Sequence, residues 1–104
     1  MTALLADWLP VCAAAVEGQA LADLGVLVLG VGKVAAAISL HELLRRRAPP
    51  GVLLFGVCGA YPPRHRAGQQ LGIGDVVIVE RDGFGDDGVA TEQGFLDLPA
   101  LRLP

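Results

Sequence analysis

The sequence predicts an α/β fold that has a pair of parallel strands at its core. Residues 26–29, VLVL, form an apolar run typical of a fully buried strand, and residues 52–57, VLLFGV, form a second one. Residues 33–47, between them, place apolar side chains at helical spacing and end in three arginines, which suit the negative end of a helix dipole. Because strand–helix–strand connections are almost always right-handed, the two strands are predicted to be parallel neighbours.

Glycines follow both predicted strands, at what would be one edge of the sheet. The sequence GVGKVAAA at residues 30–37 turns the chain sharply from strand to helix, and GVCGA at residues 56–60 follows the second strand. A helix N-terminus beside a tight glycine turn presents backbone N–H groups to a ligand. Parallel strands that end side by side in small residues therefore predict the floor of a small-molecule site.

Size and composition limit the possible architectures. The 104 residues suffice for one small domain, residues 1–104, and 53% of them are hydrophobic while only 18% are charged. A short chain needs many charged residues on its surface. So apolar a composition predicts that a partner, or the rest of a larger fold, covers part of that surface.

Charge, hydropathy and cysteine usage limit the partners and the location. A net charge of −3 argues against a nucleic-acid partner. No apolar run reaches the roughly 20 residues that a membrane span needs, and the N-terminus lacks the basic region of a signal peptide. Cys12 and Cys58 lie in apolar sequence without metal-ligand spacing, which predicts reduced, buried thiols in a cytoplasmic protein.

The remaining elements are predicted from local signals. An alanine- and leucine-rich stretch predicts a helix over residues 10–21, with Pro10 tolerated in its first turn. Four β-branched residues at 76–79 predict a third strand. Loops are predicted at residues 62–72 and 81–94. The apolar stripe predicted for the helix at 33–47 consists of Val34, Ala37, Ile38, Leu40, His41, Leu43 and Leu44.

The first glycine turn also allows a dinucleotide-binding interpretation. Gly30, Gly32 and Ala35 fit the G-x-G-x-x-A form of the fingerprint, but the acid expected at the end of the next strand is missing. A phosphate-binding P-loop would need glycine at position 27 and serine or threonine at position 34, where the chain has Leu27 and Val34. No cofactor is therefore predicted, and a dinucleotide-binding domain is kept as a weak alternative.

Other reactive side chains do not form a recognisable catalytic or metal site. His41 falls among leucines, which favours packing, and His65 lies in a basic, proline-flanked loop. Asp86 and Asp87 lack the spacing of cation ligands, and no basic partner for Cys58 is identifiable. The sequence predicts no catalytic residue and no metal ligand.

Three motifs, taken in order, resemble the purine nucleoside phosphorylase/nucleosidase superfamily. The motifs are GVGKVAAA at residues 30–37, GVCGA at 56–60 and LGIGDVV at 71–77. They look most like the methylthioadenosine and futalosine nucleosidases. The sequences GAYP at 59–62 and DGVATEQGF at 87–95 look more like futalosine hydrolase. The resemblance covers about residues 26–98.

The resemblance implies a fold, an activity and partners. The fold would be a nucleoside phosphorylase-like three-layer α/β/α arrangement around a central mixed sheet, of which this chain would form the incomplete N-terminal half. The activity would be hydrolysis of the N-glycosidic bond of futalosine, releasing hypoxanthine in menaquinone biosynthesis, without a cofactor. The implied partners are a small-molecule nucleoside and either further copies of the chain in a homo-oligomer or a polypeptide that completes it.

The resemblance also implies site residues. Val31 would line the pocket for the 5′ substituent of the substrate, and Val57, Cys58 and Gly59 would border the ribose and the base. The full set of substrate-binding residues that it implies is Val31, Gly32, Val57, Cys58, Gly59 and Ala60. Val89 and Phe95 would contact the site of a neighbouring subunit.

The chain also departs from the family. In the family a first strand leads to a glutamate that activates water, and a purine-protonating aspartate and a ribose-binding glutamate lie in the C-terminal half. Residues 1–7 show no such motif, Glu17 is not assigned that role, and the catalytic half is expected to be absent. We therefore expect this chain to be inactive by itself. The alternatives are a non-catalytic remnant that binds nucleosides or assists assembly and, more weakly, a methylthioadenosine/S-adenosylhomocysteine nucleosidase-like protein.

Overall fold

A computed structural model of the chain describes residues 6–61 and 70–102. The chain divides into two compact units, Met1–Tyr61 and Pro62–Pro104. His65 and most of the loop predicted at residues 62–72 lie outside the described residues.

The first unit contains a three-stranded parallel sheet. Its strands are β1 (Leu9–Cys12), β2 (Leu27–Val28) and β3 (Val52–Leu54), in the spatial order β2-β1-β3. Val11 of the central strand pairs with Leu27 on one side and with Leu54 on the other. The predicted α/β class and the parallel direction of the strands are therefore confirmed.

The predicted adjacency of the two glycine-terminated strands is wrong, because β1 lies between them. The segment that forms β1 was predicted to be part of a helix over residues 10–21, and only Ala15–Gly18 of that range is α-helical (α1), followed by a 3₁₀ helix at Gln19–Leu24. A four-residue strand next to alanines carries little periodic signal. Since β2 and β3 are both parallel to β1, their glycine ends still lie at the same edge of the sheet.

Pro10 fits in the central strand because of the direction in which its missing N–H would point. The N–H of Leu9 donates to the Gly51 carbonyl on the β3 side, at 3.0 Å. Successive donors along a strand point to opposite sides, so position 10 faces the β2 side. Pairing with β2 begins only at Val11, so proline removes no ladder hydrogen bond there.

Helices cover the two faces of this sheet. Helix α2 (Lys33–Arg46) packs its Leu40 and Leu43 against a buried core of Leu9, Val11 and Leu29. Cys12 alternates with Val11 along β1 and faces the opposite side, where Gly18 of α1 lies against its sulfur. A side chain at position 18 would come within 3.0 Å of Cys12 Sγ, which accounts for the glycine.

The bounds of α2 agree closely with the predicted helix at residues 33–47, but only part of the predicted apolar stripe faces the core. Its last carbonyls are capped by the Arg47 N–H, which donates to the Leu43 carbonyl, and Glu42 pairs with Arg45 and Arg46 on the surface. Leu40 and Leu43 face the core as predicted, whereas Val34, Ile38 and Leu44 are exposed. No helix among residues 6–61 and 70–102 is long and apolar enough to cross a membrane.

The second unit contains a β-hairpin instead of the predicted strand at 76–79. Residues 76–79 are exposed and join no ladder within the described part of the chain. Strands β4 (Gly88–Thr91) and β5 (Gly94–Asp97) pair antiparallel, where the sequence predicted a loop at 81–94. Thr91 Oγ1 donates to the Gly94 carbonyl at 2.7 Å, so this side chain stabilises the turn between β4 and β5. The short helix α3 (Leu98–Leu101) follows, and Asp97 caps it by accepting the Ala100 N–H at 2.9 Å.

We expect Val11→Ala to lower the free energy of unfolding by about 2 kcal/mol, because it deletes two buried carbons at the centre of the sheet. Chemical denaturation followed by circular dichroism measures this change. Val34→Ala is the matched control on an exposed position, and its effect should stay within about 0.5 kcal/mol. Equal losses in the two variants would contradict the placement of β1 in the core.

We expect the chain to self-associate through the open edge of β3. Among the described residues β3 has one strand neighbour, β1, and its Leu53 and Leu54 are exposed. An unpaired apolar edge favours strand pairing between copies, and a charge on it disfavours that pairing. Sedimentation should therefore show less association for Leu54→Lys than for Ile38→Lys, which carries the same change on the outer surface of α2. A chain that sediments as a stable monomer would contradict the expectation.

Candidate functional site

The carboxyl ends of the three parallel strands meet at one edge of the sheet, and the candidate site lies there. From β1 the chain passes through α1 to β2 on one side, and from β2 it crosses through α2 to β3 on the other side. The two connecting helices cover opposite faces of the sheet. In open parallel sheets ligands bind outside the carboxyl ends of the strands, so this edge is where a ligand is expected.

Glu17 places its carboxylate at this edge of the sheet, between the residues that follow β1 and those that follow β3. The side chain is half-buried and belongs to α1, directly after β1. Its Oε1 accepts the N–H of Ala14 at 3.0 Å, and its Oε2 accepts the N–H of Val57 at 2.9 Å. The two donors lie after β1 and after β3, so the carboxylate bridges the ends of two neighbouring strands.

The hydrogen bond to Ala14 has a structural role in addition. Ala14 is the N-cap residue of α1, and Glu17 stands three positions later, where a glutamate commonly accepts the N-cap N–H. Alanine has no side-chain oxygen that could accept the Glu17 N–H, so only one of the two side-chain hydrogen bonds of a capping box forms. A carboxylate has about four acceptor sites, and the two hydrogen bonds use two of them. The carboxylate therefore keeps acceptor capacity for a ligand or a water molecule.

The turn after β2 depends on its two glycines. Gly30 and Gly32 have φ angles of 99° and 101°, a region that side chains other than glycine rarely adopt. Gly30 also donates its N–H to the Ala13 carbonyl at 3.1 Å, which ties this turn to the residues after β1. Helix α2 begins immediately afterwards, and the N–H of Ala36 donates to the Gly32 carbonyl. The N-terminus of a 14-residue helix therefore opens at the same edge as Glu17.

The six predicted substrate-binding residues all lie in the first unit, after the carboxyl ends of β2 and β3. Val31 and Gly32 follow β2, and the other four, Val57, Cys58, Gly59 and Ala60, follow β3. All six are exposed. Strands in a sheet are about 4.8 Å apart, so the intervening β1 separates the two loops by about 10 Å at their bases. Their contact with a ligand remains a prediction.

Cys58 differs from its predicted state. The sequence predicted two buried thiols, whereas the structure buries Cys12 and exposes Cys58. Cys12 donates its S–H to the Ala14 carbonyl at 3.3 Å. The difference arises because Cys12 lies in the central strand, while Cys58 lies in the loop after an edge strand.

Val89 and Phe95 lie in the hairpin of the second unit. Val89 pairs with Leu96, and Phe95 pairs with Ala90 across the two strands. Both side chains are about half exposed. Their predicted contact with a neighbouring subunit's site remains a prediction.

Glu17 is the site residue that sequence reasoning missed. The signal that indicates it is the order of residues 9–17, LPVCAAAVE, in which a short apolar run leads through small residues to an acid. The helix predicted over this segment concealed that pattern. His41, in contrast, is exposed on the outer part of α2, and no group of three or more His, Cys, Asp or Glu residues that could hold a metal ion occurs within the described residues.

Comparison with known proteins supports the resemblance seen in the glycine motifs. The chain is 39% identical over 77 residues to a futalosine hydrolase of Thermus thermophilus. The match covers 74% of this chain and 32% of that protein, so the chain spans about a third of the length of this curated relative. No protein-family model and no solved structure matches the chain. The chain is thus similar over most of its length to part of a futalosine hydrolase, and the resemblance that its motifs predict is confirmed.

Proposed function

We propose that this chain forms the floor of the nucleoside site in a nucleosidase of the futalosine hydrolase type, and that Glu17 activates the attacking water. The proposal rests mainly on one observation, the carboxylate of Glu17 held by two backbone amides between the ends of β1 and β3. In the family, a glutamate that follows the first strand activates the attacking water. Glu17 follows the first strand that the structure describes.

The reaction requires two proton transfers and one bond exchange. The bond between C1′ of the ribose and the purine nitrogen breaks, and its electron pair goes to the departing base. Water forms a new bond to C1′ and gives up a proton, which a carboxylate such as Glu17 can accept. The departing base takes up a proton from a general acid. The positively charged ribosyl centre that develops between these events is also stabilised by a nearby carboxylate.

The two glycine loops would hold the substrate on either side of Glu17. We assign the 5′ substituent to Val31 and Gly32 beside the start of α2. The ribose and the base are assigned to Val57, Cys58, Gly59 and Ala60. A separation of about 10 Å between the loops suits a nucleoside that lies across the end of β1. Because both loops are exposed, further chain must cover the substrate and exclude water.

A second carboxylic acid that could protonate the departing purine must come from outside the described part of the first unit. That unit has three other carboxylic acids. Asp7 lies before β1, Asp23 lies before β2, and Glu42 lies near the end of α2, which leads to the start of β3. They belong to the opposite edge of the sheet from Glu17. We therefore propose that the nucleoside phosphorylase-like α/β/α fold and its active site are completed by a second copy of the chain or by another polypeptide segment.

The proposed role of Glu17 predicts the activity of a chimera. In the chimera, this chain replaces the matching segment of the Thermus thermophilus futalosine hydrolase. We expect the chimera to release hypoxanthine from futalosine. Glu17→Gln should lower kcat by about 100-fold or more, because general base catalysis contributes factors of that size. Chromatographic assay of hypoxanthine measures both rates.

Glu42→Gln is the matched control in this chimera. Glu42 pairs with Arg45 and Arg46 on the surface of α2, at the other edge of the sheet, and its substitution should leave kcat unchanged. An active chimera whose kcat survives Glu17→Gln would refute the role of Glu17.

The isolated 104-residue chain should not hydrolyse futalosine. In the proposed site the first unit supplies the floor and the carboxylate that activates water, but its described residues do not place a second carboxylic acid at the same edge. Incubation of the purified chain with futalosine should therefore yield no hypoxanthine above a protein-free blank. Turnover at a rate close to that of the Thermus thermophilus enzyme would contradict this expectation.

A further inference from the structure

The space beside the Glu17 carboxylate is available because residue 56 has no side chain. A Cβ placed on Gly56 would overlap Oε2 of Glu17 and would lie 3.2 Å from its Cδ and 3.6 Å from its Oε1. All three of the atoms nearest to that Cβ therefore belong to the Glu17 side chain. A side chain at position 56 would therefore displace the carboxylate from the place where it accepts the Val57 N–H.

The backbone at position 56 does not itself require glycine. Within residues 6–61 and 70–102, the glycines with positive φ are Gly25, Gly30, Gly32, Gly74 and Gly94, and Gly56 is not among them. An alanine would therefore fit the backbone conformation at residue 56 without strain. The closest steric constraint on this position comes from the Glu17 side chain.

A side chain at position 56 would displace the Glu17 carboxylate, which is the end of a flexible side chain. The Glu17 side chain can rotate about three bonds, so the carboxylate can leave the space between the ends of β1 and β3 while the sheet stays folded. In doing so it loses the hydrogen bonds that fix both of its oxygens. We propose that Gly56 is a positioning residue, which keeps the Glu17 carboxylate between the ends of β1 and β3. The catalytic meaning of this placement rests on the proposed function, whereas the placement itself does not.

The first test uses the amide resonance of Ala14 in the full chain. Ala14 donates to Oε1 of Glu17 and is far from residue 56 in the sequence, so its resonance reports where the carboxylate is. Gly56→Ala should shift this resonance, and Glu17→Ala should shift it too because it removes the accepting oxygen. Gly59→Ala is the matched control, since a Cβ at that position meets nothing within 4 Å. An Ala14 resonance that Gly56→Ala leaves in place would overturn the proposal.

The second test measures coupling between the two positions in thermal unfolding. Any decrease in Tm that Gly56→Ala causes in the wild-type chain should disappear in a Glu17→Ala background, where the overlapping atoms are absent. Restored folding in that background supports the proposal even if Gly56→Ala alone does not fold. An equal decrease in both backgrounds, or a failure to fold in both, would show that something other than Glu17 limits position 56.

The third test separates positioning from catalysis in the chimera with the Thermus thermophilus enzyme. Gly56→Ala should lower kcat by about 10- to 100-fold with little change in KM, a loss typical of a misplaced catalytic group. It should cause no further loss in a Glu17→Gln background. Gly85→Ala, in the second unit and without atoms near its Cβ, should keep full activity. If the Ala14 resonance shifts while kcat is unchanged, the positioning stands and the proposed function fails.

Discussion

The carboxylate of Glu17 joins the ends of two parallel strands, and the candidate site depends on that contact. It accepts one backbone N–H from the residues after β1 and one from the residues after β3. Hydrogen bonds from backbone amides to a charged carboxylate are stronger than those between neutral groups. The same contact caps the start of α1, joins the ends of β1 and β3 and leaves acceptor capacity on the carboxylate.

The sheet that carries this contact is small and open. Within the described residues the buried hydrophobic side chains are Leu9, Val11, Cys12 and Leu29, and three of them belong to the central strand. Many large apolar side chains are exposed on both units. This agrees with the high hydrophobic content of the sequence, which predicts a covering partner or a larger fold. The chain spans about a third of the length of the curated relative that it matches.

The family resemblance and the hydrogen bonds of Glu17 both support the proposed site. The resemblance rests on the motifs at residues 30–37, 56–60 and 71–77, and the sequence alone assigned no role to Glu17. The proposed role of Glu17 combines the family's glutamate after the first strand with the position that the structure gives this side chain. The similarity to a futalosine hydrolase confirms the resemblance over most of the chain. The structure places an acid between the residues that follow β1 and β3, at the edge of the sheet where ligands of parallel sheets bind. The resemblance and the hydrogen bonds point to the same edge of the same sheet.

The sequence by itself determined the parts of this protein that depend on local patterns. Helix α2, the strands before the two glycine turns and their parallel direction follow from hydrophobic spacing, glycine and the handedness of the connection. Tertiary structure alone decided that Leu9–Cys12 is the central strand, because four residues are too few to show a period. It also decided the place of Glu17, since the hydrogen bond to Val57 joins residues 40 positions apart and no local pattern encodes such a contact.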